Sequence, residues 1–477
     1  MKKMRYILLT FIGLVGLIQS SCIEDDFTTS PSDILTFSRD TVSFDTVFTD
    51  LGTPTARLLV FNRAKKSVNI SHIAFKRGDE SNFQVNVDGM TGKTFQDVEI
   101  RGGDSIYVFV ECFIDETLGK EPYLVEDKLQ FVTNGVTQEV QVEAYGQNVT
   151  RLRDLRITSD MRLTAERPYV IFDSLVVEKG AKLTIDPGTR MLFHDKASLT
   201  IRGQIEAIGE VGNMIQMRGD RLDNVLPDVA YDIMAGQWHG IRIEADSYDN
   251  RMEYVNMRST VIGLQIDSCA VTDRRKLTLV NSWLHNSQSS AITSRYAWVD
   301  ALGCCFSEAA AGVVELWGGK HLFAQCTISN YYLFSGMFEP LLCLYHCLPE
   351  SDISDQPLMQ ASFENSILYG MTADINEGDL TGSNVYLRNV LLKSAGSDDA
   401  NFISCVWDSD PLFYTIREDY IFDYRLRNDS PAIGAGQVAF ISTESQTDMY
   451  GNSRTANGAP DLGAFVWIYA PDPEPTE

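Results

Sequence analysis

The densest group of acids in this chain is Glu244, Asp246, Asp249 and Glu253, with Asp273, Arg274 and Arg275 following. Side chains of these types could act on a sugar polymer in two ways. Clustered carboxylates can hold Ca²⁺ while an Arg or Lys removes a proton, or two acids about 6.5 to 9.5 Å apart can protonate a leaving oxygen and activate water. Both need the acids to recur so that their side chains converge, and none of the four recurs in that way. No catalytic residue, metal site or resident cofactor is therefore expected, Ca²⁺ being the one ion the group could call for. Tyr331, Tyr332 and Phe334 are a second candidate, for ligand binding: aromatic rings can stack on sugars, and they can equally cover an exposed side of a core. The third is Cys343-Leu344-Tyr345-His346-Cys347, which lacks the second ligand pair of a structural zinc site. In a strand the two cysteines would share one face and His346 the other, so packing is the expected role.

The elements that must position these residues announce themselves by repetition. Val255-Asn256-Met257, Val280-Asn281-Ser282-Trp283-Leu284, Leu302-Gly303-Cys304-Cys305-Phe306, Ala324-Gln325-Cys326-Thr327-Ile328, Glu364-Asn365-Ser366-Ile367-Leu368 and Arg388-Asn389-Val390-Leu391-Leu392 form one series. Their central polar residues, 256→281→303→325→365→389, are separated by steps of 25, 22, 22, 40 and 24. Such a period marks a solenoid, and the brief β-rich runs broken by Gly, Asn, Asp and Ser make it a parallel β-helix. The marker residues are expected at a turn, their amides stacking from coil to coil as a ladder. Cys304 and Cys326 share the register of Ser282 and Ser366, a place for small buried side chains. The long step holds Tyr331, Tyr332 and Phe334, and an excursion on one coil is where a solenoid can carry a binding face.

Lys and Arg total 40 against 65 Asp and Glu, a net charge of −25, which repels phosphate backbones and argues against a nucleic-acid partner. A composition 44% hydrophobic and 22% charged is that of a folded chain. Of nine cysteines, the eight after Cys22 are irregularly spaced and do not read as a disulfide framework. Lys2, Lys3 and Arg5 precede an apolar stretch from Tyr6 to Ile18, and Ser20-Ser21 stand directly before Cys22. Residues 1–21 thus read as a secretory signal peptide, too short to span a bilayer. The cysteine at the cleavage point resembles a bacterial lipoprotein signal, although Gln19 stands where an aliphatic residue is usual. The resemblance implies an acylated Cys22, residues 22–32 as a tether, and lipid attachment to the outer membrane. Glu24, Asp25 and Asp26 resemble the acidic tag that sends some lipoproteins to the cell exterior.

Residues 33–149 carry separate strands of alternating polarity, with Val108, Val110 and Cys112 on one face and Asn134-Gly135 as a hairpin turn. They imply a β-sandwich. Leu59-Val60-Phe61-Asn62, Val68-Asn69-Ile70, Phe83-Gln84-Val85 and Gly102-Gly103-Asp104-Ser105 resemble immunoglobulin-like modules of the abnormal-spindle and hydin type. Residues 150–400 are the solenoid. Leu183-Thr184-Ile185-Asp186-Pro187-Gly188-Thr189, Gly203 to Gly209 and Trp238-His239-Gly240-Ile241 resemble the opening of right-handed parallel β-helix repeat proteins exported by bacteria. Residues 401–470 resemble the C-terminal cap of such proteins, through Ser430-Pro431-Ala432-Ile433-Gly434, Asp448 to Arg454 and Pro460-Asp461-Leu462-Gly463, with Gly434 where Asp is common. Residues 471–477 read as a disordered tail.

The fold class implied is all-β: an immunoglobulin-like sandwich, then a right-handed parallel β-helix with a C-terminal cap that seals the last coil. Many parallel β-helices are polysaccharide lyases or hydrolases, but fold alone does not establish activity. The Gly-His-Gly and Arg-x-Lys signatures of polygalacturonase-type enzymes are missing, since His239 stands in Trp-His-Gly. The expected protein is a non-catalytic cell-surface lipoprotein that binds glycans or partner proteins, the alternative being a β-helix polysaccharide lyase or hydrolase.

Overall fold

Alternation at period two builds the first of two units, residues 1–148 and 149–477, into which the chain divides. The computed structural model describes residues 26–53, 55–116, 122–226, 229–268, 273–345, 358–376 and 383–471. Cys22, Glu24 and Asp25 fall outside these, as do Cys269, His346, Cys347 and the last six residues. In unit one, a five-stranded sheet runs Leu35–Phe37, Ala56–Asn62, Ser105–Cys112, Phe83–Val87, Met90–Gly92. A second sheet runs Thr41–Phe48, Val136–Gln147, Tyr123–Thr133, Val68–Phe75, Thr94–Phe95, with Val98–Ile100 also on Val68–Phe75. One apolar cluster joins Val60, Phe83, Val108 and Val110 of the first sheet to Val42, Ile70, Phe131 and Val142 of the second. Asn134 and Gly135, at φ 53° and 76°, turn the chain so that Thr133 pairs with Val136. Both accept this left-handed backbone, which is why the pair marks a hairpin.

The second unit holds a parallel sheet of 22 strands, consistent with a β-helix, and the whole chain is nearly all-β. Pairing skips along the chain, because each rung contributes strands to three parallel ladders. One ladder runs Lys182–Ile185, Gln204–Ile208, Asn250–Glu253, Leu277–Val280. A second runs Ser198–Ile201, Gly240–Ile243, Leu264–Ile266 into Ile292–Leu302. The third runs Ile215–Gly219, Val255–Thr260, Trp283–Ser287, Cys305–Ala309, Thr327–Asn330. In-register stacking places like above like: Met252, Leu279, Ala301, Phe323, Phe363 and Leu387 form one buried file. Phe323 and Phe363 stack with ring centroids 5.3 Å apart. At corners the rungs approach closely, and a Cβ on Gly203 would overlap the carbonyl oxygens of Ala181 and Glu178.

The repeated polar residues sit at one turn, and its backbone explains their type. Asn281, Gly303, Gln325, Asn365 and Asn389 have φ of 44°, 68°, 51°, 47° and 50°, a conformation that Asn and Gly adopt at low cost. Asn256 is not of this set. Tyr254, at φ 48°, holds the turn on that rung and donates its N–H to Val280, while Asn256 lies in the following strand opposite Trp283. Ser282, Cys304, Cys326 and Ser366 are all fully buried just inside the turn, and each donates to the carbonyl two residues before it. Cys112, Cys304, Cys305, Cys326, Cys343 and Cys405 are unpaired.

The marker amides do not stack on one another, contrary to expectation. Each donates to a carbonyl of the C-terminal segment: Asn281 to Thr447 at 3.1 Å, Gln325 to Phe440 at 3.1 Å, Asn365 to Gln437 at 2.8 Å and Asn389 to Ala435 at 3.0 Å. That segment therefore runs down the side of the column as a strap, rather than only closing the last rung. Phe413, Tyr424, Leu426, Leu462 and Phe465 bury the outward side chains of Cys305, Ile367 and Leu391. The residues expected to seal it form its turns. Arg454 donates to the carbonyls of Gly463 and Ala464, Asp448 accepts from three backbone N–H groups, and Asp461 accepts from Gly434 and Trp467.

Truncating the stacked file should cost what a well-packed core site costs. Phe323→Ala is expected to destabilise the second unit by about 3 to 5 kcal/mol, read as a lowered denaturation midpoint.

Candidate functional site

Register fixes which side chains of the solenoid can reach a ligand, because alternate residues of each strand point outward. On the ladder through Gly240–Ile243, Leu264–Ile266, Ile292–Ser294, Val314–Trp317 and Leu342–Tyr345, two outward rows follow. One contains Arg242, Gln265, Thr293, Glu315 and Cys343. The other contains Arg295, Trp317 and Tyr345. Trp317 and Tyr345 stack at 3.9 Å between centroids with planes 24° apart, so the opposite face of the indole turns toward the rung of Arg295. Glu315 Oε1 accepts from Trp317 Nε1 at 2.9 Å, and its Oε2 accepts from Ser290 at 3.1 Å and Thr293 at 3.3 Å. Arg295, Glu315, Trp317 and Tyr345 are all half-buried, and Arg295 Nε is buried without a hydrogen-bond partner. A ring edge and a held carboxylate on the outer face of a sheet can receive the C–H and hydroxyl surfaces of a sugar.

The acids singled out in sequence do not converge. Glu244 bridges Arg202 at 3.1 Å, Asp246 bridges Lys179 at 3.1 Å, Asp249 pairs with Arg274, and Glu253 pairs with Arg251. Among the described residues no group of three His, Cys, Asp or Glu could hold a metal ion. What organises this stretch is Lys276, fully buried, whose Nζ donates to the carbonyls of Glu244 at 2.8 Å, Ala245 at 3.0 Å and Asp267 at 2.9 Å. A buried ammonium is tolerable only where its donors are used in this way.

Tyr331, Tyr332 and Phe334 present no shared face. Tyr331 and Tyr332 are 6% and 7% exposed, and Phe334 is 37% exposed with its ring edge-on to Tyr332 at 5.7 Å. Tyr331 belongs instead to the seat of the strap, where a second constellation lies. The outward row of the third ladder contains His285 and Ser307, and Trp283 donates its indole N–H to Ser307 at 2.9 Å. At a left-handed bend near the end of each of these strands, Ser259, Asn286 and Glu308 occupy equivalent places, with φ of 68°, 54° and 46°. Glu308 is fully buried there, accepts a short hydrogen bond from the Tyr424 hydroxyl of the strap, and leaves Oε2 unpartnered. Burial pushes its carboxyl up to about 7. His239, beside the fully buried Trp238, is exposed. Asp26 is exposed and pairs with Lys66 at 2.5 Å.

Sequence reasoning missed Trp317, Tyr345, Glu315, Arg295 and Glu308. The signal for the first three was present as Glu315-Leu316-Trp317 and Cys343-Leu344-Tyr345, two strands with the same aromatic offset, but only the register reveals which face they share.

No protein-family model matches the chain, and no curated protein matches it. Ten chains of solved structures do match. One is a family 123 glycoside hydrolase from Clostridium perfringens, 8% identical, with a TM-score of 0.17 over 24% of this chain and 25% of that one. A likeness so small in extent and score carries no argument about activity.

Lys276→Met keeps most of the unbranched stem but orphans three carbonyls. It is expected to destabilise the second unit by about 2 to 4 kcal/mol, whereas Asp246→Asn on the exposed pair should change stability by less than about 0.5 kcal/mol, both read by denaturant titration.

Proposed function

We propose that this chain is a non-catalytic, glycan-binding cell-surface lipoprotein. In this reading Cys22 is acylated, Glu24, Asp25 and Asp26 direct the protein to the exterior of the outer membrane, an immunoglobulin-like sandwich acts as spacer, and a right-handed β-helix presents the ligand face. One observation carries the choice of ligand: the outward Trp317–Tyr345 stack, with Glu315 held by the indole N–H and flanked by hydroxyls. The pairing of Glu244, Asp246, Asp249 and Glu253 with basic side chains supports binding without turnover.

The alternative is a β-helix polysaccharide lyase or hydrolase; Glu308, whose carboxyl burial raises, is covered by Tyr424 of the strap and could serve as a general acid only with the strap lifted.

A glycan array followed by calorimetry tests the first reading. Trp317→Ala should weaken binding by roughly tenfold or more without lowering the melting temperature, and Glu315→Gln should weaken it less. Reducing-end and unsaturated-product assays on the same glycans, with and without Ca²⁺, should show no turnover. Product release that disappears in Glu308→Gln would establish the alternative.

A further inference from the structure

Glu308 breaks the pattern of its own row. Its equivalents Ser259 and Asn286 are short polar residues suited to a left-handed turn, and Asn286 uses its amide to donate to Ile233 at 2.6 Å. A glutamate at φ 46° is out of type there, and it is buried with Oε2 short of a well-formed hydrogen bond, although Ser307 and the backbone of Glu308 and Tyr331 lie beside the carboxyl. Strain and an unmet polar atom at one position are retained where the position does something. The group that bonds its other oxygen, Tyr424, lies in the strap strand Asp423–Leu426, which pairs with Phe413–Thr415, and packs its ring against Phe413 at 5.0 Å and Tyr331 at 6.5 Å. Cys305 and Ser307 face Glu308 from its own strand, and the Tyr331 backbone from the next rung. Beyond Tyr331 lie Tyr369, Asp410 and Arg417. No cation is in contact with the carboxyl among the described residues.

We infer that Glu308 and Tyr424 form a proton-sensitive latch: with Glu308 neutral the strap stays seated, and ionisation of Glu308 favours lifting the strap so that the carboxylate reaches water. Among the remaining attachments the amides of Asn281, Gln325, Asn365 and Asn389 do not titrate. The strap also carries Glu444, paired with Arg251 at 3.5 Å, and Asp461, whose carboxyl burial raises, and the comparison with Glu308→Gln separates the share of Glu308 from theirs. The sign for Glu308 follows from its two environments. Seated, the carboxyl is held at about 7; lifted into water, it returns toward 4.5. The seated form therefore binds the extra proton, and its advantage is complete below about 4.5 and lost as pH rises to about 7. Strap opening should become about tenfold more frequent per pH unit between about 5 and 7 and level off above that.

Amide hydrogen exchange on the full chain reads this, once rates are corrected for base catalysis. The strap reporters are the N–H groups of Gln437, Gly463 and Ala464, which bond to Asn365 Oδ1, Asn365 O and Thr327 Oγ1, and the column references are Leu264 and Val313. The expected result is a protection factor that falls with pH for the strap reporters alone, a flat profile in Glu308→Gln, and in Asn365→Ala a lower protection with the slope intact. Should Glu308→Gln not fold, Tyr424→Phe serves in its place: loss of the hydroxyl donor should move the falling segment to higher pH. A flat wild-type profile, an unchanged slope in Glu308→Gln, or a slope shared by Leu264 and Val313 would overturn the latch.

Discussion

Everything in the second unit depends on parallel strands pairing in register from rung to rung. Neighbouring strands stand about 4.8 Å apart, so each inward side chain is roofed and floored by its counterparts. The constraint admits Leu279, Ala301, Phe323 and Phe363 in one file because large rings alternate with or stack on their neighbours. It admits Ser282, Cys304, Cys326 and Ser366 in another because a small side chain can turn its polar atom back onto its own strand. A buried Lys276 survives under the same rule, its three donors spent on turn carbonyls. Such a column has no single centre, and its stability is a sum over adjacent rungs.

Outward side chains are freed from that rule, and the chain uses the freedom differently on different ladders. Where the strap lies, outward positions are apolar or small, as at Cys305, Ile367 and Leu391. Where the strap does not lie, they are charged, hydroxylic or aromatic, as at Arg242, Thr293, Glu315 and Trp317. Charge there is mostly neutralised locally, Arg242 by Asp267 at 2.8 Å and Arg202 by Glu244 at 3.1 Å, so the net −25 of the chain does not make this surface uniformly repellent.

Much of the column could be read from residues alone, because the turn demands a left-handed backbone and Asn, Gly and Gln announce it at Asn281, Gly303, Gln325, Asn365 and Asn389. The rung where the reading slipped is the one on which Tyr254 takes that conformation, against its type, and the nearest Asn lies two residues on. The strap was visible as a segment but not as a partner, since hydrogen bonds such as Gln325 to Phe440 span more than a hundred residues and leave no local pattern. The same holds for the pairing of Glu308 with Tyr424. Tyr331 and Tyr332 could be read as a ligand platform or as cover for the core, because aromatic clusters read alike whether they face water or a covering segment, and here they are buried.

The order of the strap contacts has a bearing on how the molecule is made. Ala435 meets Asn389, Gln437 meets Asn365, Phe440 meets Gln325 and Thr447 meets Asn281, so the strap, synthesised after the rungs it covers, can close first over the youngest rung and then zip back toward older ones. A polypeptide cut short before Phe413 would still encode all the paired strands of the column, yet Cys305, Ile367 and Leu391 would lack the strap that buries them. Arrival of the strap is thus written into the surface itself: a copy without it exposes an apolar flank and a copy with it does not, a distinction that a protease or chaperone can act on without reading the sequence.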